Sequence, residues 1–249
     1  MVYNLVLGGY MAKRFVVDDI DVVIEDDRIE ISGEQVNHIK ALRHEIGEQV
    51  NINNYLVEIK KISKEKIYGV ILNKIQPKGI PSKNITLIQS YLKSDKMEYV
   101  VQKSVELGVS NVQPVISKNT VVKLDEKDAI KKIERLNKIA VEAVGQCGRT
   151  DCVKVEPVKK LNDIDFKSFD LVILCYEKAT CNLADIENKM TEALNIAVII
   201  GPEGGFDEHE IEILYNIKNL STVLFGERIL RAETASVYML SILDYLSKK

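Results

Sequence analysis

The sequence has few of the residues that stabilise small or metal-dependent proteins. Its 249 residues include no tryptophan, three histidines, four cysteines and five prolines. Neither close cysteine pair, Cys147 with Cys152 or Cys175 with Cys181, has the spacing of zinc ligands, and no histidine pair completes such a site. The sequence therefore predicts no metal centre. Reduced thiols in turn favour a cytoplasmic protein.

Long hydrophobic runs are also missing. No run reaches the roughly 20 apolar residues of a membrane-spanning helix, so we expect no membrane association. Residues 1–10 lack the basic start and the cleavage site of a secretory signal, and we interpret them as an N-terminal extension before Met11. The net charge of −3 gives no global sign of nucleic-acid binding, so such binding would need a local basic patch.

Residues 11–76 have the alternating apolar pattern of β-strands. The predicted strands are 14–17, 28–31, 50–52, 55–62 and 66–75, with one helix at 33–43. Five short strands and a helix in some sixty residues suggest a small β-barrel domain. Residues 77–83 follow with two of the five prolines and a glycine, which predicts a linker.

Residues 84–249 alternate between strand and helix patterns, which indicates an α/β domain with a mostly parallel sheet. Continuous apolar runs at 171–175 and 196–200 are typical of strands buried on both faces. The other predicted strands are 85–89, 112–116 and 222–225. The predicted helices are 94–108, with Asp95 as its cap, 128–146, 207–216 and 233–246.

A glycine loop follows the apolar strand that ends at Ile200. It reads Gly201-Pro202-Glu203-Gly204-Gly205-Phe206, and open α/β sheets bind small molecules at this end of a strand. The loop lacks the lysine of a phosphate loop, and its acidic surroundings would repel a polyphosphate. The pattern favours a neutral or cationic ligand with an adenosine-like body; a plain strand-to-helix turn is the structural alternative.

The next strand ends in a loop with two arginines, read as Leu224-Phe225-Gly226-Glu227-Arg228-Ile229-Leu230-Arg231. An arginine at such an edge can hold a carboxylate, a phosphate or a base edge, and Arg231 is the stronger candidate. Glu233 or Thr234 could instead cap the following helix. Lys96 and Lys103 could belong to a merely solvated helix surface. Arg149 could simply complement the dipole of the helix that precedes it.

Together these stretches resemble the small-subunit ribosomal RNA uridine N3-methyltransferases of the SPOUT superfamily. The resemblance is carried by 93–109, by the helix from Glu134 to Gln146 with Arg149, by 201–206 and by 229–235. A weaker match to the family's PUA-like N-terminal domain involves 14–17, His38, Leu42, Arg43 and Gly47. Gly145 and Cys147 depart from the family pattern, which has glutamate and serine there.

The resemblance implies a trefoil-knotted, mostly parallel sheet over 84–249, a PUA-like β-barrel over 11–76 and a homodimer. It also implies S-adenosylmethionine as cofactor, held by three loops. The cofactor-binding residues would be Leu174, Tyr176, Glu177, Ile200, Gly201, Glu203, Gly204, Gly205, Leu224, Gly226, Ile229, Leu230 and Thr234.

The implied reaction is methyl transfer to N3 of one uridine in 16S ribosomal RNA, free or within the small subunit. Arg231 would stabilise the uracil oxygens, and Glu203 or Glu233 would accept the proton. Arg14, Arg43, Lys96, Lys103 and Arg149 are candidate RNA contacts. Three alternatives stay open: methylation of another RNA site, a non-catalytic RNA-binding ribosome-assembly factor, and a nucleotide-phosphate enzyme that uses the glycine loop.

Overall fold

A computed structural model of the protein describes residues 14–15, 17 and 19–248. The predicted extension at 1–10, Val16, and the side chains of Arg14 and His38 lie outside this description. The chain divides into two compact units. One contains the described residues up to Lys78 together with Gly148–Asp151, and the other contains Gly79–Cys147 and the described residues from Cys152 onward.

The first unit is a six-stranded sheet with one helix. Its elements are β1 (Arg14–Phe15), β2 (Val22–Glu25), β3 (Arg28–Ile31), α1 (Glu34–Ala41), β4 (Gln49–Ile52), β5 (Tyr55–Ile62) and β6 (Ile67–Lys74), with a 3₁₀ turn at Asp19–Asp21. The strand order is β1-β4-β5-β6-β3-β2, and only the β1–β4 pairing is parallel. Strand β2 was not predicted, because its three consecutive apolar residues show no alternation.

Alternation places the apolar side chains of this sheet in one core. The buried strand residues include Ile29, Ile31, Val50, Ile52, Val57, Ile59 and Ile67. Val36 and Ile39 of α1 pack into the same cluster. Each fully buried isoleucine contributes roughly 1.5–3 kcal/mol relative to an exposed one, so this small unit has a substantial core of its own.

The second unit is an α/β domain. Its first elements are β7 (Asn84–Ser90), α2 (Ser94–Glu106), β8 (Asn111–Ile116), α3 (Glu126–Cys147), β9 (Lys154–Val155) and β10 (Lys159–Lys160). It continues with β11 (Leu171–Cys175), α4 (Glu187–Glu192), β12 (Asn195–Ile200), α5 (Glu208–Tyr215), β13 (Leu220–Val223) and α6 (Ala232–Leu246), and with 3₁₀ turns at Leu161–Asp163 and Leu183–Ile186. The prediction of an α/β domain with a mostly parallel sheet is confirmed.

The order of this sheet brings the predicted loops to one edge. The order is β10-β8-β7-β12-β11-β13, with β9 beside β8, and every described pairing in it is parallel. Strand β12 is therefore central, between β7 and β11. Because parallel strands all end at the same edge, the loops after β7, β11, β12 and β13 leave the sheet side by side.

The helix starts agree with the sequence at α5 and differ from it elsewhere. Asp207 caps α5, and its backbone N–H donates to the Glu210 carboxylate in a reciprocal capping box. The predicted Asp95 cap of α2 is wrong, because Lys93 holds the cap position without a side-chain hydrogen bond. Glu233 and Thr234 do not cap α6 either, since Arg231 precedes them at its cap position.

Candidate functional site

Backbone hydrogen bonds tie together the loops that follow β11 and β13. The Tyr176 N–H donates to the Val223 carbonyl at 3.0 Å, and the Leu224 N–H donates to the Cys181 carbonyl at 2.9 Å. Asn182 and Leu224 also form an isolated parallel bridge. The two loops therefore form one continuous rim beside the central strand β12.

The glycine loop after β12 is shaped by its glycines. Gly205 has φ of +69°, which an L side chain rarely adopts, and its N–H donates to the Pro202 carbonyl at 3.0 Å. A Cβ on Gly201 would lie 3.1 Å from the Phe206 ring, so the backbone passes close to that ring only because the side chain is missing. The loop thus presents bare backbone at the centre of the edge.

A neighbouring segment, Ser117–Thr120, holds this loop from the side of β8. The Asn119 side-chain amide donates to the Gly205 carbonyl at 3.2 Å, and a Cβ on Gly204 would come within 3.2 Å of the Asn119 Cβ. Lys118 Nζ lies 2.7 Å from Asp207 Oδ2, and this hydrogen bond lowers the pKa of Asp207 from its ordinary value. Sequence reasoning missed this segment, although a polar run directly after a buried strand was a usable signal.

Lys96 brings both candidate proton acceptors together. Its Nζ lies 3.2 Å from Glu203 Oε1, in the glycine loop, and 3.5 Å from Glu233 Oε2, in the first turn of α6. The bond to Glu203, with a smaller effect of Glu233, raises the pKa of Lys96, so the lysine stays protonated. Glu233 Oε2 is buried and has no hydrogen-bond partner among the described residues at ordinary bonding distance. The ammonium group of Lys96 thus lies between two carboxylates, and the predicted RNA contact of Lys96 stays a prediction.

Arg231 stands at the start of α6 with an exposed side chain. Its carbonyl accepts from the Ala235 N–H at 2.8 Å, which fixes the backbone at that point. One turn further on, the buried Ser236 hydroxyl lies 2.5 Å from Gln89 Oε1 at the end of β7 and so attaches α6 to the sheet. The guanidinium group is thus carried by a rigid backbone, as precise recognition requires.

The predicted apolar walls differ in what they can offer a ligand. Ile229 is 85% exposed, whereas Leu224 and Leu230 are half-buried. Leu174 and Ile200 are buried inside the sheet, so only their backbone groups could reach a ligand. The other predicted positions, Tyr176, Glu177, Gly226 and Thr234, are half-buried or exposed along the same rim.

The remaining candidate RNA contacts are divided between the two units. Arg43 is exposed with φ of +58° in the first unit. Lys103 pairs with Glu106 at 2.8 Å on α2. Arg149 is 3% exposed, and its Nη2 lies 2.6 Å from Asp151 Oδ2, which indicates a structural role within the first unit.

In the part of the chain that the structure describes, no group of three or more metal-ligating side chains occurs. No helix in that part has both the length and the apolar content to cross a bilayer. Burial raises the pKa of the Cys175 thiol at the end of β11.

The parallel sheet with its glycine loop is that of an RNA methyltransferase domain, and the family model of that description matches residues 80–244. The chain is 30% identical to the ribosomal RNA small subunit methyltransferase E of Bacillus subtilis, over 94% of this chain and 96% of that protein. It is 31% identical to the protein of the same name from Mesomycoplasma hyopneumoniae, over 83% and 89%. The chain belongs to the ribosomal RNA small subunit methyltransferase E family.

A solved structure supports the same family. It is a crystal structure of a ribosomal RNA small subunit methyltransferase E from Neisseria gonorrhoeae bound to S-adenosylmethionine, with a TM-score of 0.82 and 28% identity. The match covers 94% of this chain and 98% of that one. Both units of the present chain therefore have counterparts in that protein.

Proposed function

We propose that the protein is an S-adenosylmethionine-dependent methyltransferase that modifies N3 of one uridine in 16S ribosomal RNA. The observation that carries this proposal is the convergence at one sheet edge of a bare glycine loop, the exposed Arg231 and the Lys96–Glu203–Glu233 cluster. The relatives named above are small-subunit ribosomal RNA methyltransferases, which supports the RNA class of the substrate.

The residues at this edge fit a sulfonium cofactor. Gly201, Gly204 and Gly205 place no side chains in the loop, and the half-buried Leu224 and Leu230 with the exposed Ile229 supply apolar contacts for an adenosine body. Glu203 and Asp207 favour a cation over a polyphosphate, which argues against the nucleotide-phosphate alternative. When bound, S-adenosylmethionine supplies an activated methyl group.

The chain's own residues must align uracil and manage its N3 proton. Arg231 donates hydrogen bonds to a uracil oxygen as negative charge develops on the base. Glu233 is the proposed proton acceptor rather than Glu203, because its Oε2 lies farther from the Lys96 ammonium group, at 3.5 Å, than Glu203 Oε1 does, at 3.2 Å. Lys96 positions both carboxylates. The target uridine must be unpaired or flipped out, since N3 lies on the pairing edge.

We further propose the remaining features that the family resemblance implies. The shared core of the first unit is consistent with a PUA-like barrel, and the bridge between Asn182 and Leu224 with a trefoil knot. Tyr238 and Tyr245 are 42% and 63% exposed on α6, and aromatic residues are common at the core of subunit interfaces, which supports a homodimer. Arg14, Arg43 and Lys103 remain candidate RNA contacts, and a ribosomal substrate implies action in the cytoplasm.

The test uses purified protein, labelled S-adenosylmethionine, unmodified small subunits and naked 16S RNA. We expect label in one nucleotide, identified as 3-methyluridine by nuclease digestion and mass spectrometry. Label elsewhere in the RNA would favour another RNA site, and no label with intact RNA binding would favour an assembly factor. Arg231→Gln should lower kcat by roughly 10²–10³-fold without loss of cofactor affinity. Arg228→Gln, in the same loop, is the matched control and should leave kcat near that of the wild type.

A further inference from the structure

A second concave surface lies on the α/β unit, at the carboxyl ends of β8 and β10. It is a cleft of about 500 Å³, and its lining includes Ile116, Lys118, Thr120, Lys123, Lys160 and Glu210. None of these residues belongs to the loops described above for the cofactor. The cleft is therefore a separate surface on the same edge of the sheet.

The charges of this cleft favour an anion. Both oxygens of Glu210 accept backbone N–H groups, from Lys118 at 2.8 Å and from Asp207 at 3.0 Å, and Lys118 Nζ pairs with Asp207. Lys123 and Lys160 are exposed, and within the described part of the chain neither ammonium group has an ion-pair partner. At this cleft three lysines, Lys118, Lys123 and Lys160, face two carboxylates, Asp207 and Glu210, so a protein of net charge −3 has a local excess of positive charge here.

The wall of the cleft is fixed to the candidate catalytic edge. The Ser117 N–H donates to Thr120 Oγ1 at 3.0 Å, which closes a tight turn. Within that turn, Asn119 donates to the carbonyls of Gly204 and Gly205. The turn that forms this wall is therefore bonded directly to the glycine loop.

We propose that this cleft binds the phosphate backbone of the RNA strand that carries the target nucleotide, with Lys123 and Lys160 each contacting one phosphate. The inference rests on the proposed function. Lysine suits this task, because a flexible point charge contacts phosphates without reading sequence. The apolar floor at Ile116 and the open shape fit a strand passing through rather than a small anion that is enclosed.

The test is the salt dependence of binding to 16S RNA transcribed in vitro, measured by filter binding between 50 and 200 mM salt. Lys123→Gln with Lys160→Gln should weaken binding at low salt and reduce the slope of log K against log salt by about 1.4–1.8, since each lost phosphate contact removes roughly 0.7–0.9. When salt rises from 50 to 200 mM, the fold loss of affinity should then be about 7–12 times smaller for the double variant than for the wild type.

The matched control removes the same charge at the opposite edge of the sheet. Lys167 and Lys218 are exposed and precede β11 and β13, so Lys167→Gln with Lys218→Gln should keep the wild-type slope. Calorimetric titration with S-adenosylmethionine should give wild-type affinity for both double variants, which shows that each is folded.

Each outcome decides one question. An unchanged slope for Lys123→Gln with Lys160→Gln, or an equal change in the control, overturns the cleft proposal. Methyl transfer by the wild-type protein is measured separately on small subunits. If the wild-type protein transfers no methyl group, the proposed function is wrong. If it transfers the methyl group and the salt slope of Lys123→Gln with Lys160→Gln is unchanged, only the cleft proposal is wrong.

Discussion

Replacing Ser236 with alanine tests how α6 is attached to the sheet. The Ser236 hydroxyl is fully buried and lies 2.5 Å from Gln89 Oε1 and 2.9 Å from the Ala232 carbonyl. A hydroxyl has one proton, and the shorter contact assigns it to Gln89. Ser236→Ala leaves the buried Gln89 oxygen without its donor, which costs about 1–3 kcal/mol of stability.

The higher helix propensity of alanine offsets about 0.5 kcal/mol of this cost. The net loss is then about 0.5–2.5 kcal/mol, and at roughly 2–4 °C per kcal/mol for a chain of this size Tm should fall by about 1–10 °C. Ser241 provides the control on the same helix: its exposed hydroxyl donates to the Val237 carbonyl at 2.7 Å. Ser241→Ala gains the same propensity and loses no buried partner, so its Tm should be unchanged or slightly higher.

Circular dichroism melts and urea titrations of both variants give the comparison. The difference in Tm and in unfolding free energy between the two variants reports the buried contact, because both replace serine by alanine on the same helix. If Ser236→Ala and Ser241→Ala melt together, the hydrogen bond to Gln89 does not stabilise α6, and the argument that this helix rigidly carries Arg231 fails.

Three further predictions concern the site itself. Glu233→Gln should lower the single-turnover rate of methyl transfer by roughly 10²–10⁴-fold, and Glu203→Gln should lower it by less. If Glu203→Gln lowers the rate more, Glu203 is the proton acceptor. Gly205→Ala, at φ of +69°, should lower the unfolding free energy in urea titrations by about 1–2 kcal/mol and weaken cofactor binding. Wild-type values for both would contradict the claim that the loop requires glycine at this φ. Lys118→Met should raise the pKa of Asp207 towards its ordinary 3.8, seen by NMR titration. Because the pKa of Asp207 is depressed in the folded protein, the ionised carboxylate stabilises the fold above pH 3.8, and this stabilisation is lost as the pH falls through the lower folded pKa. If the pKa of Asp207 in the variant stays at its wild-type value, Lys118 is excluded as the cause of the depression.

The parts of the fold that could be predicted from sequence are those specified locally. The runs at 171–175 and 196–200 are apolar because both faces of β11 and β12 are covered, and a glycine loop must follow where the backbone turns closely past Phe206. The cap of α5 was also readable, since Asp207 and Glu210 have the spacing of a capping box.

What could not be predicted depends on partners distant in the chain. Glu203 lies 107 residues from Lys96, so the helical spacing around Lys96 suggested only a solvated surface or an RNA contact. Asn119 reaches the glycine loop 85 residues later, and the polar run that contains Asn119 does not indicate which loop it contacts. The two-residue strand β10 is too short for periodicity to show.

The hydrogen bond from Leu224 to Cys181 has a kinetic consequence. Because the rim segments after β11 and β13 share it, and Tyr176 N–H is bonded to Val223, neither segment can separate from the other without breaking backbone bonds. The amide protons of Tyr176 and Leu224 should therefore exchange with deuterium at matching rates, as one cooperative opening.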